Sequence, residues 1–201
     1  MPFSAEKNYQ NLVRAKEWKI TWSSQKIRES YRKFSSLCFI VEVMSKITVD
    51  EDVKGLAHND HEFDGLFKVL SNACYFLDLE ENFQERQIGF LCYFLGKLFI
   101  DLGIFPDIKQ CQISGRDLSG EIILRPDLGG LTLLEEDSSG GRIFNQTLPV
   151  LNFSAYSSWK ESKWTELTDS PRDLLIELLN YLSFQTGIDF KLSLKTLSSI
   201  I

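Results

Sequence analysis

A chain of 201 residues with 43% hydrophobic and 25% charged residues is long enough to bury one real core, and that composition excludes a disordered or fibrous polypeptide. The opening MPFSAEKNYQ lacks the apolar stretch of a secretory signal, and the most apolar run, 88–105, is interrupted by Lys97 and Asp101, so it reads as a buried core helix, not a bilayer span. The net charge of −6 is unevenly spread: residues 1–47 hold nine Lys/Arg against four Asp/Glu, and the remainder thirteen against twenty-four, which points either to a polyanion-facing end on an acidic body or to a basic helix face that is simply solvated. Cys38, Cys74, Cys92 and Cys111 show no disulfide spacing, and a reducing cytoplasm is the expected compartment.

In chain order, the alternation of apolar and polar residues from Trp18 to Trp22 predicts a short strand. Ser23 or Ser24 is placed to cap the helix that follows. Along that helix Ile27, Tyr31, Phe34, Cys38, Val41 and Met44 recur every three or four residues and are expected to face inward, with Lys26, Arg28, Arg32 and Lys33 opposite. An acidic loop at 48–52 leads to a second helix opening near Asn59 or Asp60, with Phe63, Leu66, Phe67, Leu70, Cys74 and Leu77 as its stripe. A third helix is predicted over 82–102, lined by Ile88, Leu91, Cys92, Leu95, Leu98, Phe99 and Leu102. Gly103 stops it in a left-handed conformation and Pro106 prevents its resumption.

From Cys111 to Pro149 the character changes. Two β-prone runs, Glu121–Leu124 and Leu131–Leu134, flank the turn chemistry of ArgProAspLeuGlyGly at 125–130, predicting a small hairpin; AspSerSerGlyGly at 137–141 is a second turn or loop. Helix is expected to return after Ser154. Ser170-Pro171-Arg172-Asp173 is a start signal for a helix lined by Leu174, Leu175, Leu178, Leu179 and Leu182 and ended by Gly187, and a short last helix is expected over 192–200. The expected fold is mainly α: a bundle of about five helices with a small β-hairpin insertion. Its parts are a short strand-like segment (1–22), a helical core (23–110), the hairpin insertion (111–150) and C-terminal helices completing the core (151–201).

Catalytic patterns are scarce. His58 and His61, followed by Glu62, have no evident third ligand and read as a solvated loop; Asp50, Glu51 and Asp52 read likewise. With both histidines in that loop, no nucleophile constellation forms, and Gly129-Gly130 and Gly140-Gly141 are too short to cradle a phosphate. No enzyme activity, cofactor or metal is therefore expected. The basic, aromatic N-terminal region is the candidate interface for single-stranded DNA. Arg14, Lys16, Lys19, Lys26, Arg28, Arg32 and Lys33 would meet phosphates, and Trp18 would stack on unpaired bases, at about 1–3 kcal/mol per base. Trp22 is expected to pack under the first helix instead. Trp159 and Trp164, five apart, would point in different directions on a helix, leaving one exposed.

LeuGlyIlePheProAspIle at 102–108, then Cys111-Gln-Ile-Ser114-Gly115, and the closing segment from Tyr181 to Leu197 resemble the RecO family of bacterial recombination mediators, over about residues 15–200. In that family a similar turn ends the long central helix and precedes the first Cys-x-x-Cys-Gly of a zinc-binding insertion. The resemblance implies an accessory protein of recombinational DNA repair that works with RecR, single-strand binding protein and single-stranded DNA by binding and handing over, without covalent chemistry. This sequence departs from the pattern twice. Family members begin with an OB-fold barrel, whereas only some twenty residues precede the first helix here. Ser114 stands where the second cysteine belongs and no cysteine follows, so no zinc is expected. The alternative is a helical protein-interaction scaffold of the same descent that does not bind DNA. No membrane partner is expected.

Overall fold

The computed structural model describes residues 5–7, 13–15, 23–49, 62–137, 147–161 and 172–190. Residues 88–96 of the segment 83–101 are apolar on every side, and a helical stretch of that kind is stable only when surrounded. The segment forms helix α4 (Phe83–Asp101), in which Phe83, Gln87, the whole run from Gly89 to Gly96, Leu98 and Phe99 are buried. Helices α2 (Tyr31–Val49), α3 (Glu62–Leu79), α5 (Thr147–Tyr156) and α6 (Arg172–Thr186) all contact it, so the protein is a helical bundle with α4 at its centre. Gly96 permits the approach of α5, because a Cβ there would collide with the Ser154 side chain.

Helix α4 ends as its sequence predicts. Gly103 takes φ 69°, its N–H bonds to Ile100 O at 3.2 Å, and the Ile104 N–H reaches back to Phe99 O at 3.0 Å, the Schellman arrangement that satisfies carbonyls left open at a helix end. The chain then enters the hairpin: β3 (Ile122–Arg125) pairs antiparallel with β4 (Gly130–Leu133) in the register Ile122↔Leu133 to Arg125↔Gly130. Pro126–Leu128 forms a 3-10 turn closed by Gly129 at φ 68°. The hairpin is pinned to the bundle at this turn. Gln185 Nε2 donates to Pro126 O at 2.6 Å, and the buried Tyr181 hydroxyl lies 2.9 Å from Ile104 O and 3.2 Å from Gly129 O. On α6, Leu174, Leu175, Leu178, Leu179 and Leu182 are all buried, as their spacing predicts, and Gly187 follows its end at φ 73°.

The first predicted helix is two helices. A short α1 (Gln25–Arg28) is broken from α2 at Glu29 and Ser30. Ser24 sits in the left-handed region (φ 43°) and makes no side-chain cap; the cap belongs to Ser30, whose Oγ accepts the Lys33 N–H at 3.4 Å. Because the break resets the phase, the stripe extrapolated from Ile27 falls on the wrong side of α2. Tyr31, Phe34 and Val41 are 70%, 52% and 47% exposed and Cys38 is exposed; Ile27 and Met44 of the expected stripe are buried, and Phe39, Ile40, Val43 and Ile47 complete the core face. The same correction applies to Phe67 on α3, which is exposed while Leu66, Val69, Ala73 and Leu77 are buried.

Helix resumes at Thr147, inside the segment expected to belong to the insertion, and not after Ser154; Pro149 is tolerated because it lies in the first turn. Trp159 occupies a 3-10 turn (Trp159–Glu161), where it is buried against Phe76, Phe90 and Tyr93. Near the N-terminus β1 (Ala5–Lys7) pairs antiparallel with β2 (Val13–Ala15). Thr48 and Val49, expected to open the acidic loop, are instead the last residues of α2; the rest of that loop (50–52), the strand expected at 18–22, His58, His61, Trp164 and the last helix at 192–200 lie outside the described residues. Among the described residues no helix is long and apolar enough to cross a membrane.

Candidate nucleic-acid interface

The sequence assigned eight residues to a DNA-facing surface, and α1, the start of α2 and the junction between α3 and α4 bring four of them to one corner. Asp78, at the end of α3, is its organising group. Its carboxylate accepts the Ile27 N–H at 3.0 Å, which docks α1 across the end of α3, and its backbone carbonyl accepts from Lys33 Nζ at 2.9 Å. Lys33 is only 5% exposed, so it points into the protein and not toward solvent. This is a correction to its expected role: an ammonium held against a helix-end carbonyl cannot meet a phosphate without leaving that hydrogen bond. Burial lowers its pKa from the ordinary lysine range, and the neighbouring Asp78, Glu80 and Glu81 offset part of that.

The other cations of the corner are partly engaged. Arg32 is half-buried, with Nη1 3.5 Å from Gln87 Oε1, while Gln87 Nε2 donates to Ser36 Oγ at 2.9 Å. Lys26 is exposed and lies 3.4 Å from Glu81 Oε1. Solvent-exposed pairs of this kind contribute about 0–1 kcal/mol, so a phosphate can replace the carboxylate at little cost. Arg28 is exposed and has no partner among the described residues. Arg86, which the sequence reading passed over, pairs with Glu80 at 2.9 Å. The corner is thus a mixed-charge network with two outward cations, Lys26 and Arg28, and not a uniformly basic patch. Of the remaining candidates, Arg14 lies in β2 opposite Glu6 in the register; Lys16, Trp18 and Lys19 fall outside the described residues.

A second cluster sits at the far end of the hairpin. The turn from Cys111 to Gly115 closes through a bond from the Gly115 N–H to Cys111 O at 2.8 Å, with Gly115 at φ 71°. It folds round the Cys111 sulfur, which accepts the Leu133 N–H at 3.4 Å and lies 3.0 Å from Glu136 Oε2. Burial pushes the Cys111 thiol up, but the N–H groups of Leu133, Ser114 and Ile113 and the Ser114 hydroxyl outweigh it and bring the pKa down to about 7. A structural zinc site needs four ligands of the thiolate, imidazole or carboxylate kind. This cluster offers one thiol and carboxylates already held by Arg116, and among the described residues no group of three such ligands could hold a metal ion. The residues do not fit zinc.

The comparison with protein-family models, with curated proteins and with solved structures finds no match to this chain. Sequence reasoning missed Asp78, Gln87 and the Arg116–Glu136 contact. Their signal was weak because each works through a partner that is distant along the chain: Asp78 through Ile27, Gln87 through Ser36, Arg116 through Glu136.

Proposed function

We propose that this protein is a RecO-like accessory factor of recombinational DNA repair that acts by binding and handing over its partners, without covalent catalysis. What supports the reading is an order of parts: a long buried helix, the Gly103–Pro106 stop, a Cys-x-x-Ser-Gly turn opening a hairpin, and a closing helix ended by Gly187. That is the order in which the resembling motifs occur in the sequence. The partners are RecR, single-strand binding protein and single-stranded DNA, and the DNA-facing groups are Lys26 and Arg28, together with Arg14, Lys16, Trp18 and Lys19. The test is binding of the full chain to each partner, with the DNA arm repeated from low to physiological salt. Phosphate contacts predict an affinity that falls steeply with salt. Failure to bind all three removes the reading.

A second reading, a protein-interaction scaffold that does not bind DNA, is favoured by one observation. Lys33 is turned inward and Arg32 faces Gln87, so half of the corner's expected cations are drawn away from solvent. Binding to a protein partner, with no binding of single strands at either salt concentration, selects it.

A further inference from the structure

We infer that the hairpin insertion is held closed without metal by a clip in which the Arg116 guanidinium and the Cys111 turn grip the two oxygens of the Glu136 carboxylate.

The loop 110–117 is a small turn laid against β4. Gln112 N–H donates to Leu131 O at 2.9 Å, Cys111 N–H to Arg116 O at 2.8 Å, and Gln110 and Asp117 form an antiparallel bridge. Nothing covalent joins this turn to the 3-10 segment Leu134–Glu136 that follows β4. Glu136 bridges them. Its Oε1 is ion-paired with Arg116 Nη2, and its Oε2 is 3.0 Å from Cys111 Sγ. Arg116 Nη2 also pairs with Glu135 Oε1 at 2.8 Å, and its Nε is 3.5 Å from Ser114 Oγ. One guanidinium therefore reaches both sides of the gap, beside the cysteine turn.

The charges explain why an arginine is needed. The Glu136 side chain is only 14% exposed, so its carboxylate is poorly hydrated and requires a counter-charge. Arginine supplies a permanent charge with several donors in a fixed fork, so it can satisfy two carboxylates and a hydroxyl from one position; an ammonium is a single point. The clip is independent of the repair function proposed above, since it concerns only how the insertion holds its shape.

The test uses the full chain and reads amide hydrogen exchange at Cys111, Gly115 and Leu133, whose N–H groups all donate within the clip region. Wild-type protein should give the same exchange with a chelator, with added zinc and with neither. Arg116→Ala should raise exchange at these three amides by about tenfold or more, while amides of Leu91 to Leu95 in α4 stay protected. Arg116→Lys should fall between the two. Should Arg116→Ala unfold the whole chain, the nearly isosteric Glu136→Gln carries the same local test. Faster exchange of the wild type in chelator overturns the inference, and so does exchange in the Arg116→Ala or Glu136→Gln protein that stays within about twofold of wild type.

Discussion

The central helix α4 and the hairpin insertion are joined by one short connection, yet they are held by different physics. The middle of helix α4 is surrounded by apolar side chains, and several of its polar groups find partners on neighbouring elements: Gln87 on Ser36, the Tyr93 hydroxyl and Lys97 on the Ser157 carbonyl. The insertion buries Ile122, Leu124, Leu131 and Leu133 along its strands, but its tip and its outer end are closed by charges: Arg125 with Asp127 and Asp137, Arg116 with Glu135 and Glu136. Apolar contact is non-directional and scales with area, whereas charged closure depends on individual partners and on pH. The comparison teaches that the body should tolerate changes of polar partner and fail on loss of volume, and the insertion the reverse.

The largest effect is expected in the body. Phe94 is fully buried in α4, and Phe94→Ala should lower the free energy of unfolding by about 3–5 kcal/mol, read from urea denaturation. A loss under about 1 kcal/mol would break the comparison, because α4 would then not be the packed centre. Next in size is the close approach of α4 and α5. Gly96→Ala places a Cβ on the Ser154 side chain and should cost about 1–3 kcal/mol, with Gly96→Ala/Ser154→Gly recovering a substantial part. Recovery is the informative result, since helix propensity alone would make alanine favourable here.

A smaller and pH-dependent effect is expected in the insertion. The Cys111 thiol has a pKa of about 7 in the folded chain against an ordinary value of 9.0. A depressed acid is deprotonated more readily in the folded state, so between these values the unfolded chain binds more protons and stability rises with pH. This contribution is fully present above pH 9 and is lost as pH falls through about 7. The groups facing Cys111 are Glu136, its Arg116 counter-charge and the Ser114 hydroxyl; the neutral thiol donates to Glu136 Oε2, and when it ionises that bond is lost and the N–H groups of Leu133, Ser114 and Ile113 hold the thiolate while Arg116 keeps Glu136. The unfolding midpoint of wild-type protein should therefore climb between pH 6.5 and 9 relative to Cys111→Ser, and parallel curves would contradict it. The smallest effects concern the basic corner. Lys33→Met should leave single-strand affinity within about twofold of wild type, whereas Arg28→Glu should weaken it and flatten its salt dependence. Equal losses in both variants would mean that Lys33 turns outward to bind.

Much of the fold was legible because its signals were local. The stop at Gly103 and the leucines of α6 each depend on neighbours a few residues away, and the hairpin followed from turn chemistry at 125–130. Helix α2 was misjudged because apolar residues occupy most of its circumference, so periodicity allowed two phases. The Asp78 carboxylate that holds α1 in place is 51 positions from the Ile27 amide it binds. The candidate site was legible as composition, a run of lysines and arginines, but not as a surface.

By itself the sequence determined the long helix over 83–101 and the leucine-lined helix over 172–186, the stop at Gly103, and that the apolar run 88–96 must be surrounded, because turn preference and apolar content act over a single turn or strand. Only the tertiary structure decided which side of α2 faces the core, that Lys33 points inward, and that Arg116 meets Glu136. Those outcomes depend on contacts between residues far apart in the chain, and such contacts exist only once the helices have packed.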